Sequence, residues 1–262
     1  MTTRRFDDRA FIVTGAASGI GRATVERLAS EGAGVVGVDL DAGRFDWAEG
    51  LDGVEVVEGS VTDADVNAAA VGRAVDRWGR LDGAVLNAGV TGTPAPDGDL
   101  APFDRTMEIN VRGVVLGIRA ALPAIRTTGG GSIVAIGSTS GMRGDPGNWA
   151  YNAAKGAVIN LVRAMSLDVA HEGIRINAVC PGPTSTGITA PLIDGPAKER
   201  GDAIVARVPM RRWGTAAELA AVIAFALSDD ASFVTGAVIP VDGGVTASTG
   251  QFAPPGSEEQ PG

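Results

Sequence analysis

Short apolar runs alternate along the chain with longer segments in which apolar residues recur at helical spacing. Seven runs rich in Val and Ile have the length of buried strands, at residues 10–14, 34–39, 54–57, 83–86, 132–136, 174–179 and 238–241. Five intervening stretches have helical length and spacing, at residues 19–31, 63–78, 103–122, 151–171 and 216–227. The alternation predicts an α/β fold, a single-domain, Rossmann-like, doubly wound parallel sheet of about seven strands with helices on both faces.

The domain organisation follows from where this alternation stops. We expect one domain over residues 1–246, because no linker divides the chain into two cores. Residues 187–213 lack clean periodicity and contain three prolines, so we interpret them as a substrate lid. Residues 247–262 are rich in Ser, Thr, Gly, Pro and Glu and read as a polar tail.

Composition supports this fold and narrows the classes of function. With 45% hydrophobic and 5% aromatic residues, the core must be built largely from Ala, Val, Ile and Leu. A net charge of -9 without a clustered Lys/Arg surface disfavours a nucleic-acid partner. No apolar run resembles a membrane span or an export signal, so we expect a cytoplasmic protein. Cys180, the only cysteine, is expected to be a buried strand thiol, and no metal site is predicted.

A glycine-rich turn joins the first predicted strand to the first helix. Within Thr14–Gly21 the glycines at 15, 19 and 21 allow a tight turn, close approach to a pyrophosphate and close packing of helix on sheet. Backbone N–H groups around Ser18 and Ile20, at the positive end of the helix dipole, then face the anion. The turn predicts a dinucleotide-binding site.

Asp39 ends the second strand 24 residues after Gly15. A carboxylate there accepts hydrogen bonds from both adenosine ribose hydroxyls and repels a 2'-phosphate. Neither Ala17 nor Leu40 supplies a compensating cation, although Arg44 is near in sequence. NAD is therefore the predicted cofactor, with NADP the alternative.

Tyr151 and Lys155 are four residues apart on a predicted helix, so they share one face. Tyr151 is the only tyrosine, and Ser138 follows the fifth strand 13 residues upstream. We expect the Lys155 ammonium and the oxidised nicotinamide together to lower the pKa of the Tyr151 phenol toward neutrality, so that it can exchange a proton with an alcohol or carbonyl. Ser138 is expected to donate to the substrate oxygen.

Together these motifs resemble the short-chain dehydrogenase/reductase family, of its compact single-domain type, over roughly residues 9–244. The resemblance rests on the glycine-rich turn, Tyr151 with Lys155, and Ser138. It also rests on a set of shorter matches: Asn87-Ala88-Gly89, Ile109-Asn110-Val111, Pro181-Gly182 and Val241-Asp242-Gly243-Gly244.

The resemblance implies a catalytic tetrad of Asn110, Ser138, Tyr151 and Lys155, in which Asn110 holds a water that links Lys155 to solvent. It implies that Lys155 also binds the nicotinamide ribose. Further cofactor contacts are implied for Leu40, Ser60, Val61, Asn87, Ala88, Gly89, Pro181, Gly182, Thr184 and Thr186, and Asp82 is implied to support the adenine pocket. A homotetramer is implied as well.

Two positions depart from the family's usual pattern. Ser60 stands where an aspartate is usual, and Leu86 stands where a second asparagine is usual. Because neither belongs to the tetrad, we expect altered cofactor affinity rather than lost activity.

The substrate approaches over Ser138 and Tyr151, so its expected lining is residues 139–143, Trp149, Pro183 and the lid. These are mostly neutral or apolar, which favours a modest hydrophobic alcohol or ketone, while Arg143 and Lys198 could grip an anionic group. The leading prediction is an NAD-dependent secondary alcohol dehydrogenase or ketone reductase. The alternatives are an NADPH-dependent 3-oxoacyl-thioester reductase and a catalytically silent dinucleotide-binding sensor or scaffold.

Overall fold

Seven parallel strands form the central sheet of the computed structural model, which describes residues 4–249 and 254. The strands of this sheet are β1 (Ala10–Thr14), β2 (Gly34–Asp39), β3 (Val54–Glu58), β4 (Gly83–Leu86), β5 (Gly131–Ile136), β6 (Ile174–Pro181) and β9 (Val238–Val241). Their spatial order is β3-β2-β1-β4-β5-β6-β9, and each neighbouring pair is parallel. A separate two-stranded sheet pairs β7 (Thr184–Ser185) with β8 (Gly214–Thr215).

The helices connect these strands. They are α1 (Gly19–Ser30), α2 (Ala64–Trp78), α3 (Ala101–Met107), α4 (Gly113–Thr127), α5 (Thr139–Met142), α6 (Trp149–Val169), α7 (Ala190–Ile193), α8 (Lys198–Val205) and α9 (Ala216–Leu227). Short 3-10 turns occur as well, including one at Ala42–Ala48.

Two apolar layers hold the sheet between the helices. On one face, α2, α4 and α6 pack on the strands through residues such as Ala74, Ile118 and Val162. On the other face, α1 and α9 pack through residues such as Leu28 and Ile223. The strand order reverses between β1 and β4, which opens a crevice at their carboxyl ends, where doubly wound sheets bind ligands. The predicted fold class is confirmed.

The largest difference between prediction and structure is in the helix predicted over residues 103–122. In the structure the helical segment extends from Ala101 to Thr127, and a π-turn at Glu108–Arg112 separates α3 from α4. A π-turn carries one extra residue per turn and commonly marks functional sites. The apolar spacing was interpreted as one regular helix and did not reveal the extra residue, which displaces the helical phase of the residues that follow it.

The predicted lid also has structure of its own. Residues 187–213 contain α7 and α8 and lie between the paired strands β7 and β8. The helix α7 was not predicted, because its segment contains prolines. Pro191 lies in the first turn of α7, where a helix does not need the missing N–H.

The expected polar tail lies largely outside the described residues, apart from residues 247–249 and 254. No helix in the described part of the chain is long and apolar enough to cross a membrane. Cys180 is fully buried in β6, which confirms the expected strand thiol, and burial raises its pKa to about 11.

Candidate active site

A cavity of about 660 Å³ opens along the carboxyl edge of the sheet. At one end lie the glycine-rich turn and Asp39, and at the other lie Ser138, Tyr151 and Lys155. The predicted cofactor residues in its wall are Gly15, Ser18, Gly19, Ile20, Asp39, Leu40, Ser60, Val61, Asn87, Ala88, Gly89, Tyr151, Lys155, Pro181, Gly182, Thr184 and Thr186. One cavity therefore joins the predicted cofactor and catalytic residues.

The glycine-rich turn is packed tightly against the end of β4. Gly15 has φ +63, and a Cβ there would lie 2.8 Å from Asn87 Nδ2 and 2.9 Å from Ala88 Cα. A Cβ on Gly21 would overlap the Gly15 carbonyl oxygen. Gly21 is absent from the cavity wall, so its role is to let α1 approach the turn.

Asn87 fastens β4 to this turn. Its side-chain amide donates to the carbonyls of Thr14 at 2.9 Å and Gly15 at 3.1 Å. The Thr14 hydroxyl accepts from the backbone N–H groups of Asn87 and Ala88 at 3.0 and 3.1 Å. Asn87 therefore supports the turn as well as lining the cavity.

Asp39 is oriented by two backbone donors. Its Oδ2 accepts from the Ala17 N–H at 2.9 Å, and its Oδ1 accepts from the Leu40 N–H at 2.8 Å. The two N–H groups fix the direction of this carboxylate. It stands at the end of the cavity where the sequence places the adenosine ribose.

The two departures from the family pattern have local consequences. The Ser60 hydroxyl shares a 2.8 Å hydrogen bond with that of Thr62, so it is already partnered within its own loop. Leu86 is buried, and a Cβ on Gly117 of α4 would lie 2.5 Å from its Cδ2. An apolar contact with α4 thus occupies the place of the usual amide.

Ser138, Tyr151 and Lys155 converge at the other end. Ser138 begins α5, where its hydroxyl accepts from the Ser140 N–H at 3.1 Å. Lys155 is 4% exposed, and its Nζ donates to the Ile136 carbonyl at 2.8 Å and lies 5.7 Å from the Tyr151 ring centroid. The end of β5 and one face of α6 therefore bring the three side chains together.

The protein's own groups do not lower the pKa of Tyr151, so the expected lowering, which also invoked the oxidised nicotinamide, stays a prediction. Burial raises the pKa of the phenol, and its hydrogen bond with Ser138 offsets this only partly. Lys155 is itself affected, because burial lowers its pKa to about 8. Desolvation disfavours the charged form of both groups and outweighs the attraction assumed from their spacing.

Asn110 lies behind the cavity wall in the π-turn and is fully buried. Its Nδ2 donates to the Val90 carbonyl at 2.8 Å, and its Oδ1 accepts from the Val90 N–H at 2.9 Å. A Cβ on Gly89 would lie 2.7 Å from Asn110 Oδ1 and 3.6 Å from Lys155 Nζ. Asn110 therefore holds the loop after β4 beside Lys155.

The segment after β6 forms the wall of the cavity that faces the glycine-rich turn. A Cβ on Gly19 would contact the Thr186 side chain at 3.4 Å, so this segment lies over the glycine-rich turn. The Thr189 hydroxyl donates to the Thr184 carbonyl at 2.7 Å and accepts from the Thr186 N–H at 2.9 Å. Thr189 thus braces the stretch that the sequence assigned to the cofactor.

Asp82 does not support the adenine pocket, and this prediction was wrong. It precedes β4 and lies at the amino edge of the sheet, where its Oδ2 accepts from the Ala10 N–H at 2.8 Å and pairs with Arg80. The cavity lies at the opposite edge, so Asp82 stabilises the start of β1 and β4 instead.

The expected substrate groups are only partly at the cavity. Pro183 lines it, together with Gly187, Ile188 and Thr189 of the predicted lid. Trp149 stacks on Phe103 with ring centroids 5.4 Å apart and lies outside the cavity wall.

The two cations proposed to hold an anionic substrate group have other partners. Lys198 pairs with Asp202 at 2.7 Å on α8, and Arg143 donates to the Thr246 carbonyl at 2.7 Å. Neither side chain belongs to the cavity wall.

Sequence reasoning missed other parts of the wall. These are Val38, Gly59, Val90, Thr91, Arg105, Ile109, Ile136 and Gly137, and Arg44 was only noted as a neighbour. Several adjoin a predicted site residue and could have been found by extending each motif by one or two positions. Arg105 gives no such indication, since its position depends on how α3 packs.

The cavity fits a nicotinamide dinucleotide. The Asp39 carboxylate stands at one end, and the glycine-rich turn and the first turn of α1 follow. Ser138, Tyr151 and Lys155 stand at the other end. In the part of the chain that the structure describes, no cluster of three or more His, Cys, Asp or Glu side chains could hold a metal ion.

Comparison with known proteins agrees with this geometry. A family model described as enoyl-(acyl carrier protein) reductase matches residues 15–246. Levodione reductase from Leifsonia aquatica is 38% identical over 263 residues, covering 94% of this chain and 97% of the relative. Cis-4-hydroxycyclohexanecarboxylate dehydrogenase from Sinomonas cyclohexanicum is 42% identical over 248 residues, covering 92% and 98%.

The crystal structure of levodione reductase matches with a TM-score of 0.88 at 37% identity, covering 93% of this chain and 100% of that one. Sequence and fold therefore agree over nearly the whole chain, including every element that lines the cavity. The chain belongs to the short-chain dehydrogenase/reductase family, whose members are oxidoreductases that use a nicotinamide dinucleotide.

Proposed function

We propose that this protein is an NAD(H)-dependent oxidoreductase that interconverts a secondary alcohol and a ketone, with Tyr151 as general acid and base. The observation that carries the proposal is the placement of Ser138, Tyr151 and Lys155 at one end of a cavity that has Asp39 at the other. The alcohol and ketone chemistry named for the relatives supports the same reaction class.

The protein's own residues bind and orient the reactants. The glycine-rich turn and the start of α1 would hold the pyrophosphate of the dinucleotide, and Asp39 would hold the adenosine ribose. The bound nicotinamide supplies or accepts the hydride. Ser138 would donate a hydrogen bond to the substrate oxygen and stabilise the negative charge that develops there.

Tyr151 would exchange the proton at the same substrate oxygen. Because its pKa is raised, the phenol is protonated at neutral pH and can act directly as the acid in ketone reduction. In alcohol oxidation the Tyr151 phenol must first lose that proton. Lys155 has a pKa of about 8, and below that pH its ammonium would stabilise the Tyr151 phenolate. The water relay attributed to Asn110 remains a prediction.

Asp39 supports NAD over NADP. Its carboxylate has both oxygens oriented by backbone N–H groups, so it cannot turn away easily from an added 2'-phosphate. Arg44 also lines the cavity and opposes this preference in part. This arrangement argues against the NADPH-dependent 3-oxoacyl-thioester reductase.

The substrate class is inferred from the neutral residues that the segment after β6 adds to a wall that also contains Lys155 and Arg105. Pro183, Gly187 and Ile188 present no charge to the substrate, so a modest hydrophobic alcohol or ketone is favoured. One relative is named for a hydroxycyclohexanecarboxylate, which supports a cyclic substrate. A cytoplasmic location and a homotetramer remain predictions.

A panel of secondary alcohols and ketones, followed by NADH absorbance, tests the proposal. We expect turnover with NAD(H) on at least one cyclic pair. Activity confined to NADPH and 3-oxoacyl thioesters would select the alternative reductase. NADH binding without turnover on any pair would select the silent sensor.

A further inference from the structure

Trp47 lies on the 3-10 turn after β2 and reaches the glycine-rich turn from outside the cavity. Its indole Nε1 donates to the Ala17 carbonyl at 3.2 Å. Trp47 is absent from the cavity wall, so it acts on this turn and not on a ligand directly. The Ala17 carbonyl precedes the first hydrogen bond of α1, which runs from the Arg22 N–H to the Ser18 carbonyl.

The ring of Trp47 is held in place on two sides. Its centroid lies 5.7 Å from that of Phe45, which is 5% exposed and packs against Gly37 of β2. The Arg22 guanidinium lies 4.9 Å from the indole centroid, and Arg22 also pairs with Glu26 at 2.8 Å. The indole N–H therefore has a fixed direction relative to the sheet and α1.

The peptide groups on both sides of Ala17 are held by hydrogen bonds. Asp39 Oδ2 accepts from its N–H at 2.9 Å, and Trp47 donates to its carbonyl. The Ala17 carbonyl shares a peptide unit with the Ser18 N–H, and in a trans peptide the two point in opposite directions. Fixing the carbonyl toward Trp47 therefore directs the Ser18 N–H away from it.

Ser18 lines the cavity, and among the described residues its N–H has no backbone acceptor. A donor fixed before the ligand arrives loses little freedom on binding. Donation to the carbonyl also polarises the shared peptide and strengthens its N–H as a donor.

We propose that Trp47 is a positioning residue for dinucleotide binding, which fixes the Ala17–Ser18 peptide so that the Ser18 N–H faces the pyrophosphate. The inference rests on the proposed function, since it assumes that a nicotinamide dinucleotide occupies the cavity. Trp47 should affect binding of the cofactor and leave the chemical step unchanged.

The test is Trp47→Phe, which removes the indole N–H and keeps an aromatic ring beside Phe45 and Arg22. The matched control is Trp78→Phe. Trp78 packs against Gly34 at the other end of β2, and among the described residues its indole makes no hydrogen bond to the glycine-rich turn. NADH binding is measured by the cofactor's own fluorescence, together with kcat, KM for the cofactor and the melting temperature.

We expect Trp47→Phe to raise the NADH dissociation constant and the cofactor KM about two- to tenfold, the range for one net hydrogen bond. The kcat at saturating NADH and the melting temperature should match those of Trp78→Phe. Unchanged NADH affinity overturns the inference, as does a weakening that follows a fall in melting temperature or kcat. Absence of NADH binding to the unaltered protein instead removes the proposed function.

Discussion

The ammonium nitrogen of Lys155 lies 5.7 Å from the centroid of the Tyr151 ring, one turn further along α6. Lys155 is buried and Tyr151 is half-buried at the catalytic end of the cavity, with Ser138 beside them. Because burial shifts both pKa values toward the neutral forms, the pair is set to hold a proton on the phenol near neutral pH.

Tyr151→Phe removes the only hydroxyl proposed to move this proton. We expect turnover to fall by about 10²–10⁴-fold, the usual contribution of a positioned acid or base. NADH affinity and melting temperature should stay near those of the unaltered protein, because the ring remains. Turnover within a few-fold of normal would remove Tyr151 from the mechanism.

The pH dependence of ketone reduction should follow the loss of the proton from the Lys155 ammonium. Its pKa is lowered to about 8, so the side chain is charged below that pH and neutral above it. We expect kcat/KM for reduction to fall as pH rises through about 8, because the charge that stabilises a developing phenolate is lost. The measurement is a pH-rate profile at saturating NADH. A profile that stays flat between about pH 7 and about pH 9 would contradict this assignment.

Asp39→Asn should relax the choice between NAD and NADP. The substitution removes the charge that repels a 2'-phosphate and leaves a side chain of the same size. We expect the ratio of kcat/KM for NADP to that for NAD to rise about tenfold or more, which corresponds to about 1.4 kcal/mol. The ratio is measured with one substrate and both cofactors.

Asp41→Asn is the control for this experiment. Asp41 is two residues further on, is exposed and accepts from the Gly43 N–H at 2.9 Å, which an asparagine can also do. In Asp41→Asn the ratio of kcat/KM for NADP to that for NAD should stay unchanged. Equal ratios in the two variants would show that Asp39 does not set the preference.

Gly89→Ala should displace Asn110, which lies behind the cavity wall at the catalytic end. The new Cβ would lie 2.7 Å from Asn110 Oδ1, so the Asn110 side chain, which holds the loop beside Lys155, must move. We expect a loss of about 1–3 kcal/mol in unfolding free energy and a fall in kcat larger than the change in cofactor KM. Gly144→Ala is the control, because a Cβ there meets nothing within 4 Å. Equal kcat for the two variants would refute the predicted displacement.

Thr215→Ala should weaken the start of α9. Thr215 and Glu218 form a reciprocal cap, in which the Thr215 hydroxyl accepts from the Glu218 N–H at 3.2 Å and the Glu218 carboxylate accepts from the Thr215 N–H at 2.8 Å. Loss of such a cap costs about 1 kcal/mol, measurable by denaturant unfolding. Thr215→Ser keeps the hydroxyl and should retain most of that stability; equal losses in both variants would argue against the cap.

The core strands and the main site residues could be predicted because local patterns encode them. Runs such as 34–39 are apolar on both faces and end at a polar residue, Asp39, which marks the carboxyl edge of the sheet. The same rule explains the error at Asp82. It precedes its strand, so it belongs to the amino edge, where no part of the cavity lies.

What the sequence did not reveal depends on tertiary packing. The turn that carries Phe45 and Trp47 has no helical period, and its position follows from aromatic packing against β2. The π-turn at Asn110 and the pKa of Tyr151 likewise depend on how deeply each group is buried. Spacing places two side chains on one face but does not measure the solvent removed from them.

The pairing of β7 with β8 brings both ends of residues 187–213 to one place on the molecule. The Gly214 N–H donates to the Pro183 carbonyl at 2.9 Å, so the exit of the segment lies against its entrance. A segment joined in this way can be exchanged between related chains by matching only two short junctions. With this segment as the proposed substrate lid, substrate choice can diverge among relatives, or be redesigned, while the residues proposed to hold the dinucleotide stay unchanged.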